Sequence, residues 1–230
     1  MRQKCVSVVI PCFNDSLSLP SIISVLNHPL IGQVIVVDDG SDPPLSKSLI
    51  SLHPHLKLVR HPRNLGKSVA LKTGLNLALC QAVLFLDSDL IGLTTKHLLA
   101  LTQPILKNKC DLLIGEVSGL LPIFRKTGYS VAYSGLRCFN KNLILVVQKS
   151  LHHPGYVNGF LAEAQMNSLI FGHYKVCAIP LLGLSQNYKI SKFGFRGLIN
   201  DIFIMYRIGT YLGWSRHLSQ LRFSRQLMRQ

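Results

Sequence analysis

Val83-Leu84-Phe85-Leu86-Asp87-Ser88-Asp89 is the stretch from which the rest of the chain can be read. Four consecutive apolar residues read as a buried strand, and two carboxylates follow just past its end. Asp87 and Asp89, two positions apart, can reach one ligand from an extended or turning backbone. Two oxygens at the carboxyl end of a strand suit a hard cation such as Mg²⁺ or Mn²⁺, above all one that carries substrate phosphates. An isolated Asp-x-Asp is more often a solvated turn. The segments around it decide between these readings.

Upstream, Cys5 to Phe13 is a continuous Val- and Ile-rich run, the pattern of a strand buried on both faces of a parallel sheet. It ends in Pro11-Cys12-Phe13-Asn14-Asp15, and Asp15 or Ser16 can cap a helix running to about Leu26. Gln33 to Val37 is a second strand, stopped by Asp38-Asp39-Gly40-Ser41-Asp42-Pro43-Pro44. A short helix to about Leu52 and a third strand, Leu56 to Val59, follow. Arg60 to Gly66 is a loop, and Lys67 opens a helix expected to reach Gln81, with Leu71, Leu75, Ala78, Leu79 and Ala82 on one buried stripe. Strands alternating with such helices call for an α/β layered fold with a mostly parallel sheet and helices on both faces. Ligands collect beyond the carboxyl ends of those strands. Phe13-Asn14-Asp15, Asp38-Asp39-Gly40-Ser41 and Asp87-Ser88-Asp89 all fall there, so one crevice can hold all three.

Downstream, Thr95 to Lys107 reads as a helix interrupted at Pro104, and Asp111 to Gly115 as a strand. A glycine-rich segment spans Pro122 to Gly135. Leu143 to Val147 favours helix over strand, Asn158 can cap a helix from Gly159 to Phe171, and Lys175 to Ile179 is a strand. From Gly194 the pattern is helical almost to the end.

The 230 residues suffice for one large domain. They are 48% hydrophobic, yet no run approaches the ~18 apolar residues of a spanning helix, so no transmembrane segment is expected. The N-terminus starts basic, but Pro11 cuts its short apolar run, which fits a first strand better than a signal peptide. The six cysteines form no Cys-x-x-Cys pair and sit mostly in apolar segments, the usage of a reduced, cytosolic protein without structural zinc. Lys and Arg exceed Asp and Glu by 25 to 10, which calls for an anionic partner.

Taken together, four motifs resemble the family 2 glycosyltransferases of GT-A fold. Val8-Val9-Ile10-Pro11-Cys12-Phe13-Asn14-Asp15 is similar to their opening strand and nucleotide loop, and Val36-Val37-Asp38-Asp39-Gly40-Ser41-Asp42 to their Val-Asp-Asp-Gly-Ser signature. Arg63-Asn64-x-Gly66-Lys67 with Ala70-Leu71-x-x-Gly74 resembles the loop and helix most marked in polyprenyl-phosphate sugar synthases. Phe85-Leu86-Asp87-Ser88-Asp89 fits the metal-binding Asp-x-Asp. The four motifs lie in family order between residues 6 and 90; beyond about residue 110 the likeness rests on single residues.

The resemblance implies a nucleotide-sugar donor, UDP- or GDP-linked, bound by residues 1–110, with 111–193 forming the acceptor half and 194–230 a helical, basic segment of the same domain. A departing diphosphate builds negative charge that a divalent cation and nearby cations neutralise. Asp89, with Asp87 through the metal or the ribose, is implied as ligand to Mg²⁺ or Mn²⁺, and Ser88 lies between them. Asp39 or Asp38 would bond the base or ribose, Pro11 and Phe13 would wall the base, and Asn14 belongs to the same loop. Gly66 and Lys67 stand at a helix N-terminus, where amides and the helix dipole favour phosphate.

Gly135 and Arg137, in Ser134-Gly135-Leu136-Arg137-Cys138-Phe139, resemble the acceptor-side segment. Glu163, in the first turns of its helix, resembles the family's acidic residue near the acceptor and is the candidate general base of an inverting transfer to a hydroxyl. Ala162 precedes it where relatives often carry Asp, and His152 and His153 are alternatives for a third metal ligand. The absence of Gln-x-x-Arg-Trp argues against a processive polysaccharide synthase. The implied acceptor is a lipid phosphate or another lipid-linked or anionic molecule.

At the C-terminus, Phe195, Leu198, Ile199, Ile202, Phe203 and Tyr206 follow helical spacing, and Arg216, Arg222, Arg225 and Arg229 follow with almost no acid. Such a helix either lies in an anionic membrane interface, with Tyr211 and Trp214 at headgroup depth, or is a core helix before a solvated basic tail. The first reading makes the protein peripheral on the cytoplasmic membrane face. Two rival functions fit less well. A nucleotidyltransferase would want a glycine-rich, Arg-containing loop after the first strand, and Pro11-Cys12-Phe13-Asn14 is not one. A nucleic-acid-binding module would account for the charge but not for the ordered carboxylates, so no nucleic acid is expected.

Overall fold

The computed structural model describes residues 5–117, 122–151, 160–186 and 195–228. Strand β1 (Val6–Cys12) is buried along its whole length because it has partners on both sides. It runs parallel to β2 (Ile31–Asp38) and to β4 (Ala82–Phe85), and β2 in turn pairs in parallel with β3 (Leu56–Arg60). The sheet continues through β7 (Arg137–Asn140), β6 (Leu112–Val117) and β8 (Val176–Leu181), giving the order β3-β2-β1-β4-β7-β6-β8. Only β7 runs against its neighbours. A small ribbon pairs β5 (Leu90–Ile91) with β9 (Ser185–Gln186).

Side chains alternate across the sheet, and each face has its own core. Val8, Ile10 and Leu84 meet α1 (Leu19–Leu26) and α3 (Thr95–Leu106) through Ile22, Ile23, Leu98 and Leu101. Val9, Val83 and Phe85 face the other way, onto α2 (Lys67–Asn76). Burying each such side chain contributes about 1.5–3 kcal/mol, so both faces of the central strands are apolar. Gly74 lets α2 lie close on the sheet, since a Cβ there would collide with Val9.

Four details differ from the expectation. Helix α2 ends at Asn76 rather than near Gln81, and Leu79 is 78% exposed instead of completing a buried stripe. The chain from 77 onward is held differently: the Ser7 hydroxyl accepts the amides of Leu79 and Cys80. Pro104 does not interrupt α3, because it stands in the last turn. Strand β7 (Arg137–Asn140), just beyond the stretch read as glycine-rich, is not among the expected elements. Finally, Cys5 and Cys80 form a disulfide, so two of the six cysteines are not the reduced thiols expected.

The second half adds α4 (Pro122–Thr127), α5 (Tyr129–Ala132), α6 (Ile144–Ser150) and α7 (Phe160–Ile170). Helix α8 (Phe195–Leu212) turns at Gly213, whose φ of 82° favours glycine, into α9 (Trp214–Leu227). Helix α9 packs on α4, α5 and α7 with an unusually polar buried face of His217, Gln220, Leu221, Ser224 and Leu227. Gly128 permits that docking: its φ is 84°, and a Cβ would stand 2.8 Å from the Arg225 amide nitrogen. Phe203, Tyr206, Tyr211 and Trp214 remain about half exposed. The C-terminal region thus combines a core helix with an exposed aromatic face. Among the described residues, no helix is long and apolar enough to cross a membrane.

Candidate active site

The loops after β1, β2 and β4 converge at the carboxyl edge of the sheet, and their own polar groups tie them together. Asn14, at φ 52°, donates its amide to the Ser41 hydroxyl (3.1 Å) and accepts the Asp42 amide on Oδ1 (2.8 Å). Pro11 is buried within β1 at a point that β4 does not reach, so its missing N–H breaks no ladder there. Phe13 is 44% exposed and is the aromatic side chain of this loop presented to solvent.

Asp38 and Asp39 are both buried, and both carboxylates are engaged inside the protein. Asp38 accepts the Ser41 amide at 2.8 Å, the Leu45 amide at 3.2 Å and Arg60 Nη1 at 2.6 Å. Burial opposes its charge, but the bonds from Ser41, Leu45 and Arg60 outweigh it and hold its pKa below the usual carboxylate value. In this arrangement Asp38 clamps its own loop. Asp39 accepts His61 Nδ1–H at 2.7 Å and the Leu65 amide at 3.0 Å on Oδ1, and the Gly66 amide at 2.8 Å on Oδ2. Thr73 Oγ1 fixes the far side of the His61 ring at 2.9 Å. Asp39 therefore sets the Arg63–Lys67 loop against β2. Gly66 serves that loop with φ 96°, which a side chain would strain, and starts α2 by accepting the Val69 and Ala70 amides.

The loop delivers Lys67 to the middle of the crevice. Its ammonium stands 2.8 Å from Asp87 Oδ1 and 3.1 Å from Glu163 Oε1, bridging the end of β4 to helix α7. Burial disfavours the charged lysine, but Asp87 and Glu163 together raise its pKa above the ordinary value. Asp87 Oδ2 accepts Gln186 Nε2 at 2.7 Å, a contact delivered by the β5–β9 ribbon. Glu163 is 1% exposed, and its Oε2 is buried with no hydrogen-bond partner among the described residues. Gly135 is the floor under this group: a Cβ there would stand 2.6 Å from Asp87 Oδ2 and 2.8 Å from Lys67 Nζ.

Arg137 stands two residues after Gly135, beneath the crevice. It is fully buried in β7. Its Nε donates to the Ser134 carbonyl, Nη1 to Asn167 Oδ1 and Nη2 to the Ala132 carbonyl, each at 2.8 Å. Burial pushes its pKa down to about 10, against the supporting charges of Glu163, Tyr133 and Asp87. With these bonds made internally, Arg137 is a buried cation and cross-brace beneath the site. Asn167, one turn after Glu163 on α7, also donates to the Ala132 carbonyl at 2.7 Å. This brace fixes the helix that carries Glu163. Nothing in the sequence pattern marks Asn167, since a buried Asn within an apolar helix face shows itself only through its partners.

Asp89 has a pKa raised to about 6 by burial, then by the nearby charges of Asp87 and Asp15. Crowded carboxylates of this kind fit a hard divalent cation, which would relieve their repulsion. No group of three His, Cys, Asp or Glu side chains arranged for a metal occurs among the described residues. The fit is therefore that of a cation held by one or two carboxylates and completed by phosphate oxygens. Ser88, between the two aspartates, is nearly buried. His152 and His153 lie outside the described residues.

With this geometry in hand, similarity to known proteins can be weighed. Residues 7–158 match the family model described as glycosyl transferase family 2. The chain is 38% identical over 85 residues to the pre-mycofactocin glycosyltransferase of Mycobacterium tuberculosis, a match covering 36% of this chain and 17% of that protein. It is 27% identical over 237 residues to the undecaprenyl-phosphate 4-deoxy-4-formamido-L-arabinose transferase of Pectobacterium atrosepticum, covering 91% of this chain and 68% of that one. A similar likeness, 25% over 218 residues, links it to the dodecaprenyl-phosphate galacturonate synthase of Rhizobium johnstonii, covering 80% of this chain and 63% of that protein. In fold it resembles the glucosyl-3-phosphoglycerate synthase of Mycobacterium tuberculosis, solved with Mn²⁺, UDP and phosphoglyceric acid. That match has a TM-score of 0.61 at 20% identity and covers 90% of this chain and 79% of the other. TarS 1–349 from S. aureus matches with a TM-score of 0.59 at 16% identity, covering 94% and 72%. These two likenesses show a shared GT-A architecture.

Proposed function

The chain belongs to glycosyl transferase family 2, and from that premise we propose that it moves a sugar from a UDP- or GDP-linked donor to a lipid-linked phosphate, with inversion at the sugar carbon. The observation that carries this reading is the meeting of Asp87, Lys67 and Glu163, which joins the carboxyl edge of the sheet to helix α7 through one ammonium. Residues 1–110 are the donor half, 111–193 the acceptor half, and 194–230 the helical, basic segment of the same domain. The names of the Pectobacterium and Rhizobium relatives, both built on a polyprenyl phosphate, favour a lipid phosphate as acceptor.

The donor's base would lie against Phe13, with Asp39 shaping the loop beside it. Lys67 would meet the diphosphate, where its charge and the amides of the first turn of α2 favour an anion. Asp89 and Asp87 would hold Mg²⁺ or Mn²⁺, which when bound neutralises charge building on the leaving diphosphate. Gly135, with no side chain, keeps the floor of the crevice open for the sugar and acceptor. Glu163 would take the proton from an acceptor that carries one; a fully ionised phosphate is already a nucleophile and needs no base.

The exposed aromatics of α8 and α9 beside Arg216, Arg222 and Arg225 would rest on an anionic membrane surface, the place where a lipid-linked acceptor is found. The test of the reading is thermal shift with a panel of UDP- and GDP-sugars, with and without Mn²⁺. Stabilisation by one nucleotide class, deepened by the metal, supports it. No response to any donor would refute it.

A further inference from the structure

Among the described residues, two arginines close to the crevice have fixed places. Arg137 is spent on Ser134, Asn167 and Ala132, and Arg60 on Asp38 and Ser41. Lys67 is different: its side chain is 28% exposed, it hangs on a flexible stem, and it touches two carboxylates that belong to different parts of the site. Of these, Asp87 has a second partner in Gln186, whereas Lys67 is the hydrogen-bonding partner of Glu163 at Oε1, and Oε2 is buried without one among the described residues. Glu163 is thus engaged by the lysine through Oε1.

We propose that Lys67 is shared between Glu163 and the donor, so that an incoming diphosphate draws the ammonium off Glu163 and frees that carboxylate for the acceptor. The inference rests on the reading of the crevice as a nucleotide-sugar site. Its physical basis is competition between anions for one cation. Glu163 offers one negative charge at 3.1 Å, whereas a nucleoside diphosphate brings at least two, together with the α2 amides that already favour phosphate. Lys67 can pivot toward the phosphates while staying beside Asp87. Glu163 then still feels the buried positive charge of Arg137. Base and donor become coupled through one side chain, so occupancy of the donor half by a nucleoside diphosphate exposes Glu163. Lys67 acts here as a positioning residue for Glu163.

This makes an unusual prediction: removing the charge of Glu163 should tighten donor binding, because Lys67 no longer has to be pulled from it. The experiment is calorimetric titration of the full chain with UDP and with GDP in the presence of MnCl₂. Glu163→Gln keeps the side-chain shape, and it should bind the preferred nucleotide about 5-fold tighter or more. Lys67→Met should weaken binding about 10-fold or more. In the Lys67→Met background, adding Glu163→Gln should change affinity by less than about 2-fold, as expected once the shared residue is gone. A Glu163 that served only to hold α7 in place would not tighten binding when altered. If the wild type binds a nucleotide and Glu163→Gln binds it equally or more weakly, the sharing is overturned while the donor site stands. If the wild type binds neither nucleotide, the site reading falls and the inference with it. A crystal structure with UDP in which Lys67 Nζ still bonds Glu163 would also overturn it.

Discussion

Asn167→Leu tests whether the buried brace beneath the site is structural in the way its geometry demands. Leu has the same branched heavy-atom skeleton as Asn with bulkier methyl ends, so the change removes two hydrogen bonds and opens no cavity. One is Nδ2 to the Ala132 carbonyl at 2.7 Å, which retains Arg137 Nη2 as a second donor. The other is Arg137 Nη1 to Oδ1 at 2.8 Å, and losing it leaves an N–H of a fully buried guanidinium unpaired. A neutral bond contributes about 1 kcal/mol and one to a charged group about 1.5–3 kcal/mol, so the expected loss is about 3 kcal/mol. For a chain of this size that is a fall in melting temperature of about 6–12 °C. Urea unfolding followed by circular dichroism measures it directly, with an unchanged m-value marking a pure stability change. A loss below about 1 kcal/mol would refute the reasoning, because it would mean that Arg137 finds water or another acceptor where the structure shows none.

Two further predictions concern the C-terminal helices. His217 is buried against Tyr133, whose hydroxyl meets its Nδ1 at 2.6 Å, and against Trp214, and burial lowers its pKa from the usual 6.5. The unfolded chain therefore takes up the proton first, so the contribution of His217 is fully present above about pH 6.5 and is lost as pH falls below it. Urea midpoints at pH 7.5 and 5.5 should differ more for the wild type than for His217→Asn, and an equal difference would remove His217 as the cause. The exposed face of Phe203, Tyr206, Tyr211 and Trp214 beside the arginines should bind anionic liposomes at low salt and release as salt rises. Co-sedimentation that is no greater with anionic than with neutral liposomes would leave the face without a membrane role.

The donor-side framework was legible in the sequence because its strands are buried on both faces and end in polar clusters. Val6–Cys12, Ile31–Asp38 and Ala82–Phe85 announce themselves as apolar runs, and the turns that stop them hold the candidate site residues. Residues whose role depends on a distant partner were not legible. The bonds that Asp38 and Asp39 make to loop amides and to Arg60 or His61 depend on partners up to 27 positions away. Strand β7 has four residues, one of them a buried arginine, and no periodicity can emerge from so short a segment. Its arginine finds a partner in Asn167, 30 positions away, which no local pattern reveals. Cys5 and Cys80 are 75 residues apart, and only the pairing of β1 with β4 brings them together. Leu79 fits a helical stripe by spacing but lies beyond the helix end, where periodicity no longer predicts burial.

The central claim is metal-assisted sugar transfer at the Asp87–Asp89 edge, and the most direct measurement is transfer of labelled sugar from a UDP- or GDP-sugar panel to a polyprenyl phosphate, with wild type and Asp89→Asn side by side. The account predicts transfer by the wild type that excess chelator stops and Mn²⁺ or Mg²⁺ restores. It predicts no transfer by Asp89→Asn, with a melting temperature no lower than the wild type's, since the change relieves a carboxylate crowded by Asp87 and Asp15. Full transfer by Asp89→Asn, or by the wild type in excess chelator, would contradict it.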